Sequence, residues 1–183
     1  MKSRRTEHIA LRQKLAYSAP ALALAVVGIP VYVYIPKFYT DVVGINIAVL
    51  GTLLFSVRIF DAVTDPAIGF ISDRTRTRFG RRRPYIAIGS LFVVLSMYLL
   101  FSPPQASAYF ETWWFGICIY ALFLFWTAVT VPYESLGPEI TFDYHERTSL
   151  FAMRDGFLIA GTLMAASSPA LVAWAFNLST DAQ

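Results

Sequence analysis

Residues 58–83 read R-I-F-D-A-V-T-D-P-A-I-G-F-I-S-D-R-T-R-T-R-F-G-R-R-R, and they constrain this chain more than any other stretch. Arg58, Asp61 and Asp65 stand inside an apolar run long enough to span a bilayer, and a dense basic loop follows. On insertion scales an ionisable residue at the bilayer centre costs about 2.5–3.5 kcal/mol. Three of them so close together need partners or a water-filled cavity. At roughly 100° per residue, Arg58, Asp61 and Asp65 fall within an arc of about 60°, with Leu54 and Gly69 on the same stripe. That face must look into protein or water, not lipid.

Pro66 directly follows Asp65. Its missing N–H leaves the carbonyl of Ala62 without its helical donor. Two carboxylates, the Thr64 hydroxyl and a loosened carbonyl are hard oxygen ligands of the kind a small cation takes. The competing reading is an internal Arg–Asp salt bridge that only joins helices.

Composition places this face in a membrane protein. The chain has 183 residues, 56 % hydrophobic and 15 % charged, with mean hydropathy +0.54, which excludes an ordinary soluble domain. Aromatic residues reach 16 %, as expected where rings sit at headgroup depth. The single Cys118 rules out an intrachain disulfide. A pI near 9.1 raises nucleic acid as a partner, but the basic residues cluster in loops on one side of the membrane. That clustering is an orientation signal, so no nucleic-acid partner is expected.

Residues 1–14 form a basic amino terminus with Lys2, Arg4, Arg5, Arg12 and Lys14. A charged start before an apolar run resembles a secretory signal, yet the run continues to about Pro36, too long for a signal's core. Hydropathy predicts an all-α membrane domain over residues 15–176 with five spans, about 15–36, 45–71, 85–102, 113–133 and 149–176. Gly44 marks a turn between the first two spans, residues 134–148 read as a polar connection, and 177–183 as a polar tail. On the last span Gly161, Ala165 and Ser168 make a ridge of small residues that lets another helix approach closely. The amino terminus with the second and fourth loops holds twelve of the 15 Lys and Arg. The positive-inside rule then puts the amino terminus in the cytoplasm and the tail outside, in a cell (inner or plasma) membrane. An odd number of spans is unusual for a transporter assembled from paired repeats, so the chain reads as a fragment.

Three stretches, F-Y-T-D-V-V-G at 38–44, R-I-F-D-A-V-T-D-P-A-I-G at 58–69 and V-P-Y-E-S-L-G-P-E-I-T-F-D at 131–143, resemble the glycoside–pentoside–hexuronide:cation symporters of the major facilitator superfamily. G-F-I-S-D-R…G-R-R at 69–82 is similar to that superfamily's loop between helices two and three. The resemblance implies twelve helices in two six-helix halves built from inverted repeats, with solute bound between the halves at the midplane. This chain would supply five helices of the amino-terminal half, and the missing carboxy-terminal half would be its partner.

The resemblance also implies a cation-coupled transporter of a sugar or sugar-like solute, not an enzyme, with no cofactor beyond the coupling ion, Na+ or H+. It assigns Asp61 and Asp65 to the cation site, assisted by Thr127. Arg58 matches the arginine just before those acids, and Arg154 the helix-five arginine of the sugar site. Two positions depart from the pattern. A helix-one acid of the sugar site aligns with Ala25. The helix-four acid shared by cation and sugar aligns with Thr130, which makes Thr130 a candidate ligand of a rebuilt site, while a carboxylate appears one turn later at Glu134.

Several of these residues have second readings. Glu134 is either the displaced acid of the substrate site or an interfacial carboxylate paired with Arg147 or Arg154. Trp126 and Tyr120 are candidates to stack on a sugar ring, against ordinary packing. Asp73 with its neighbouring arginines forms a charge clasp at a helix end, against plain topogenic charge. His145 has no second His or Cys to complete a metal site, so no metal is expected beyond a Na+ at the cation site. Asp61, Asp65 and Asp73 with Gly69 also resemble the aspartates of membrane phosphatidyltransferases, but the glycine and Ala-Arg pair of that signature are not where it requires them. A transporter-shaped sensor or scaffold is the third class. The topology has a direct check. A reporter active only in the cytoplasm is expected to stay silent when fused at Gln183, and activity there would overturn it.

Overall fold

The structure, a computed structural model, describes residues 8–78 and 80–175, without the side chains of 173 and 175. Lys2, Arg4 and Arg5 of the basic terminus, and the polar tail, lie outside the described residues. In chain order the elements are α1 (Leu11–Ile29), a π-helical segment (Pro30–Tyr34), α2 (Ile35–Asp41), α3 (Ile47–Arg74), α4 (Arg83–Phe101), α5 (Ala108–Ile140) and α6 (Tyr144–Ala175). No strand occurs among the described residues. The first helix runs unbroken from Leu11 to Asp41, and its winding widens where Pro30 cannot donate to the carbonyl of Val26. With it the described residues hold five helices long and apolar enough to cross a membrane, the all-α class expected.

The connections are short and each has a local cause. Gly44 takes φ +86°, a left-handed turn that residues with a Cβ rarely adopt, and the Asn46 side chain then accepts from Ala48 N at 2.8 Å to start α3. Between α3 and α4, Gly80 turns the chain at φ +101°. The expected connection over 134–148 is corrected. Helix α5 continues through Pro138 to Ile140, and only 141–143 separate it from α6. Asp143 Oδ1 accepts from His145 N at 2.9 Å and Glu146 N at 3.0 Å, so a helix N-cap stands where a polar loop was expected. His145 therefore belongs to the first turn of α6, with its ring edge-on to Tyr144.

The chain divides into two compact units, Met1–Tyr34 with Gly137–Gln183, and Ile35–Leu136. In the first, α1 packs along α6. Gly161 sits so close to α1 that a Cβ there would lie 2.5 Å from the carbonyl oxygen of Leu22. Ala165 is buried on the same face, whereas Ser168, the third member of the expected ridge, is exposed. At one end Glu146 ties down the start of the chain, accepting from Lys14 Nζ at 2.8 Å and from Ile9 N at 3.2 Å.

In the second unit, α2 touches α3, and one aromatic side chain holds it against both α4 and α5. Tyr39 is fully buried, its ring 4.5 Å from that of Phe115, and its hydroxyl donates to the Leu100 carbonyl at 2.8 Å. That bond occupies a carbonyl in the last turn of α4, where no helical donor is available. Gly89 lets α4 close onto α5, since a Cβ there would meet Val129 Cγ2 at 2.7 Å.

The two kinds of glycine are separable by experiment. Gly161→Leu is expected to lower stability by about 1–3 kcal/mol through overpacking against α1. Gly156→Ala, whose Cβ meets nothing within 4 Å, should cost nothing and gain up to about 1 kcal/mol of helix propensity. Thermal denaturation of the purified protein in detergent measures both.

Candidate functional site: a carboxylate pair on the third helix

Arg58, Asp61 and Asp65 project from α3 as their spacing requires, and the helix continues through Pro66 without a break. Arg58 Nη1 donates to Asp61 Oδ2 at 3.1 Å, an i,i+3 pair on one helix. The Arg58 guanidinium also lies over the Phe123 ring of α5, 4.8 Å from its centroid. The Asp61 side chain is 15 % exposed, and its other oxygen, Oδ1, is buried with no hydrogen-bond partner. A buried carboxylate oxygen without a donor is costly unless something cationic reaches it.

Asp65, one turn on, meets the facing helix. Thr127 Oγ1 donates to Asp65 Oδ1 at 2.8 Å, and Thr127 itself is only 3 % exposed. The bond fixes one oxygen of Asp65, while the residue as a whole stays exposed. Thr64, the hydroxyl between the two acids in sequence, donates to the Phe60 carbonyl at 3.1 Å. Its oxygen keeps lone pairs free to accept. The structure thus brings Arg58, Asp61, Asp65 and Thr127 together across the contact of α3 and α5.

The remaining candidates divide. Thr130 Oγ1 donates to the Trp126 carbonyl of its own helix at 3.0 Å, a local bond that still leaves its oxygen able to accept. Trp126 is half-buried on α5. Tyr120 donates to Ser56 Oγ at 2.7 Å and stacks edge-on against Phe60, so its hydroxyl is already engaged within the α3–α5 contact. Ser56 and Phe123 were not singled out in the sequence. A serine and a phenylalanine in apolar runs carry no signal until the facing helix is known.

Glu134 is exposed and inside α5, not at a helix end. In the other unit, Arg154 Nε and Nη2 both donate to Asp155 Oδ1, at 2.9 and 2.8 Å, and its guanidinium lies over Phe151. Arg147 Nη2 donates to the Pro138 carbonyl at 3.2 Å. At the end of α3, Asp73 Oδ1 accepts from Arg82 Nη2 at 2.6 Å; Arg82 is 8 % exposed and Asp73 54 %. That pair joins the last turn of α3 to the residue preceding α4.

A family model described as MFS/sugar transport protein matches residues 16–183. The chain is 38 % identical over 164 residues to an uncharacterized symporter of Synechocystis sp., covering 86 % of this chain and 30 % of that protein. It is 32 % identical over 171 residues to the isoprimeverose transporter of Lactiplantibacillus pentosus, covering 92 % and 36 %. A sodium-dependent lysophosphatidylcholine symporter of Danio rerio is 32 % identical over 154 residues, with 82 % and 29 % covered. The chain therefore spans about a third of the length of the curated relatives it matches. All three are symporters or transporters by name, not enzymes.

The Arg58–Asp61 contact makes a double-mutant cycle informative. Arg58→Met alone removes the guanidinium donor of a largely buried carboxylate, whereas Arg58→Met with Asp61→Asn removes the charge as well. The expected coupling is about 0.5–3 kcal/mol, the double variant being less destabilised than the two single losses add to. Thermal denaturation of the four proteins measures it, and additive losses would show that the pair does not matter to stability.

Proposed function

The chain belongs to the MFS/sugar transport protein family, and from that premise we propose that the whole protein is a cation-coupled secondary transporter working by alternating access. Its all-helical architecture with five spanning helices fits the amino-terminal half of a major facilitator fold. The solute is a sugar or sugar-like molecule, a reading supported by the isoprimeverose transporter among its relatives. The protein sits in the cell membrane with its amino terminus in the cytoplasm, supported by the one-sided distribution of Lys and Arg.

One observation carries the coupling step. Asp61 and Asp65 stand one turn apart on α3, with a buried unpartnered oxygen on Asp61 and the Thr127 hydroxyl fixing Asp65 from α5. In the proposed mechanism the ion is held by these two carboxylates, with Thr127 and Thr130 as neutral oxygen ligands and Arg58 setting the charge balance. A proton needs only one carboxylate oxygen, for which Asp61 Oδ1 is the candidate. Sodium needs several oxygens converging, for which the acids and both threonines are available.

Binding of positive charge between α3 and α5 neutralises the site and favours the closed, inward-moving state. The membrane potential adds about 2.3 kcal/mol per charge per 100 mV. Arg154 binds solute hydroxyls or carboxylate, with Trp126 and Tyr120 as ring-stacking surfaces and Glu134 as the acid that replaces the missing helix-four carboxylate. Asp73 and Arg82 act as a clasp at the end of α3 that opens and closes as the halves rock. The missing half of the transporter completes the solute site.

The test uses the full-length protein in proteoliposomes, with sodium and proton gradients imposed separately across a panel of sugars and one lysophospholipid. Asp61→Asn and Asp65→Asn are each expected to abolish ion-driven accumulation while insertion is retained; unchanged uptake in both sinks the site assignment. Thr127→Val, which removes a donor to an ionised group worth about 1.5–3 kcal/mol, should raise the ion concentration for half-maximal uptake by roughly tenfold or more.

A further inference from the structure

A second site lies at the far end of the same helices, where α3 gives way to α4. An apolar groove of about 480 Å³ runs between α3, α4 and α5, walled by Ile68, Pro84, Ile88, Gly89, Leu124 and Phe125. Ile88 is 58 % exposed, which puts the groove on the outer surface of this unit. Its polar rim is a single contact, Thr75 Oγ1 to the Tyr85 hydroxyl at 2.7 Å, and these two residues bracket the connection from α3 to α4. That connection carries Arg74, Arg76, Arg78, Arg81, Arg82 and Arg83 with Asp73 as the neighbouring acid. Asp73 is bonded to the buried Arg82, whereas Arg74, Arg76, Arg78, Arg81 and Arg83 are exposed. Arg74 is propped against Phe70, with its guanidinium 3.8 Å from the ring centroid.

We propose that this groove and the arginine loop above it form a binding site for one anionic phospholipid, with an acyl chain along Ile68, Ile88 and Phe125 and its phosphate on Arg76 and Arg83. The occupant is identified by charge complementarity. A slot with almost no polar lining ends directly under a concentration of positive charge, at the depth where a membrane helix meets the headgroup layer. An anionic phospholipid is an amphiphile with apolar and negative parts in that order. A protein helix laid in the groove would instead cover the arginines without neutralising them. Basic clusters flanking a spanning helix bind anionic headgroups, each arginine contributing about fivefold to binding. Arginine also pairs with phosphate through two parallel hydrogen bonds. The site is separate from the carboxylate pair, and it makes no use of the coupling ion or the solute.

The experiment reconstitutes the full-length protein in nanodiscs of phosphatidylcholine mixed with phosphatidylglycerol and reads the retained lipid by native mass spectrometry. The unaltered protein should retain phosphatidylglycerol in preference to phosphatidylcholine. Excess inorganic phosphate should not displace it. Arg76→Gln with Arg83→Gln should reduce retention by on the order of twentyfold. Ile88→Trp, which fills the groove with every arginine intact, should reduce it comparably. If Ile88→Trp fails to fold, Ile88→Ser, which removes the apolar wall without filling the slot, is read in its place. Three results overturn the site: no preference between the two lipids, displacement by phosphate, or loss in the arginine variant with full retention in the groove variant.

Discussion

Everything distinctive in this chain follows from putting charge where lipid will not solvate it. A carboxylate in a spanning helix cannot turn to lipid, so protein neighbours or a water-filled cavity must supply what bulk water would have supplied. Helix α3 meets that demand in two ways. Asp61 takes a cation from its own helix, Arg58, one turn back. Asp65 takes a neutral hydroxyl, Thr127, from the helix opposite. The first arrangement is complete within one strand of backbone, while the second exists only when α3 and α5 are packed side by side. The asymmetry leaves one oxygen of Asp61 buried and unanswered, and the proposed ion site rests on that oxygen.

Within each unit, small residues and aromatic anchors work beside buried aliphatic side chains such as Leu100, Ile119 and Leu150. Glycine brings α4 against α5 and α6 against α1. Buried tyrosine supplies bulk and a hydroxyl together, as Tyr39 does between α2, α4 and α5. Such packing suits a membrane, where lipid tails are as apolar as leucine and burying leucine between helices brings little. Close backbone contact and interhelical hydrogen bonds take over.

Much of this was legible in the residues because the periodicity of a helix is unforgiving. The placement of Arg58, Asp61 and Asp65 on one face needs only their spacing, and the turn at Gly44 needs only the absence of a side chain. The helical run from Glu134 to Ile140 was not legible. Pro132, Gly137, Pro138 and two glutamates look like a loop to any reading based on composition, and only the packing of α5 keeps that stretch helical. Partners across a helix contact were equally out of reach: Ser56 for Tyr120, Phe123 for Arg58 and the Leu100 carbonyl for Tyr39 are set by tertiary register. Thr127 emerged from sequence only through family resemblance, and its bond to Asp65 is set by the same tertiary register. The ridge on α6 shows the opposite limit, since steps of four and three put Ser168 in line with Gly161 and Ala165 but the contact with α1 leaves it exposed.

The bond from Tyr39 to Leu100 has a bearing on biosynthesis. Donor and acceptor are 61 residues apart, and at about 5–20 residues per second the ribosome needs about 3–12 s to make the chain between them. For that interval the phenol exists and its acceptor does not. Tyr39 stands two residues from the end of the first spanning helix, where water or headgroups can serve its hydroxyl until the hairpin of α3 and α4 arrives. The contact that seats the first spanning helix against α4 can therefore form only after α4 has been made.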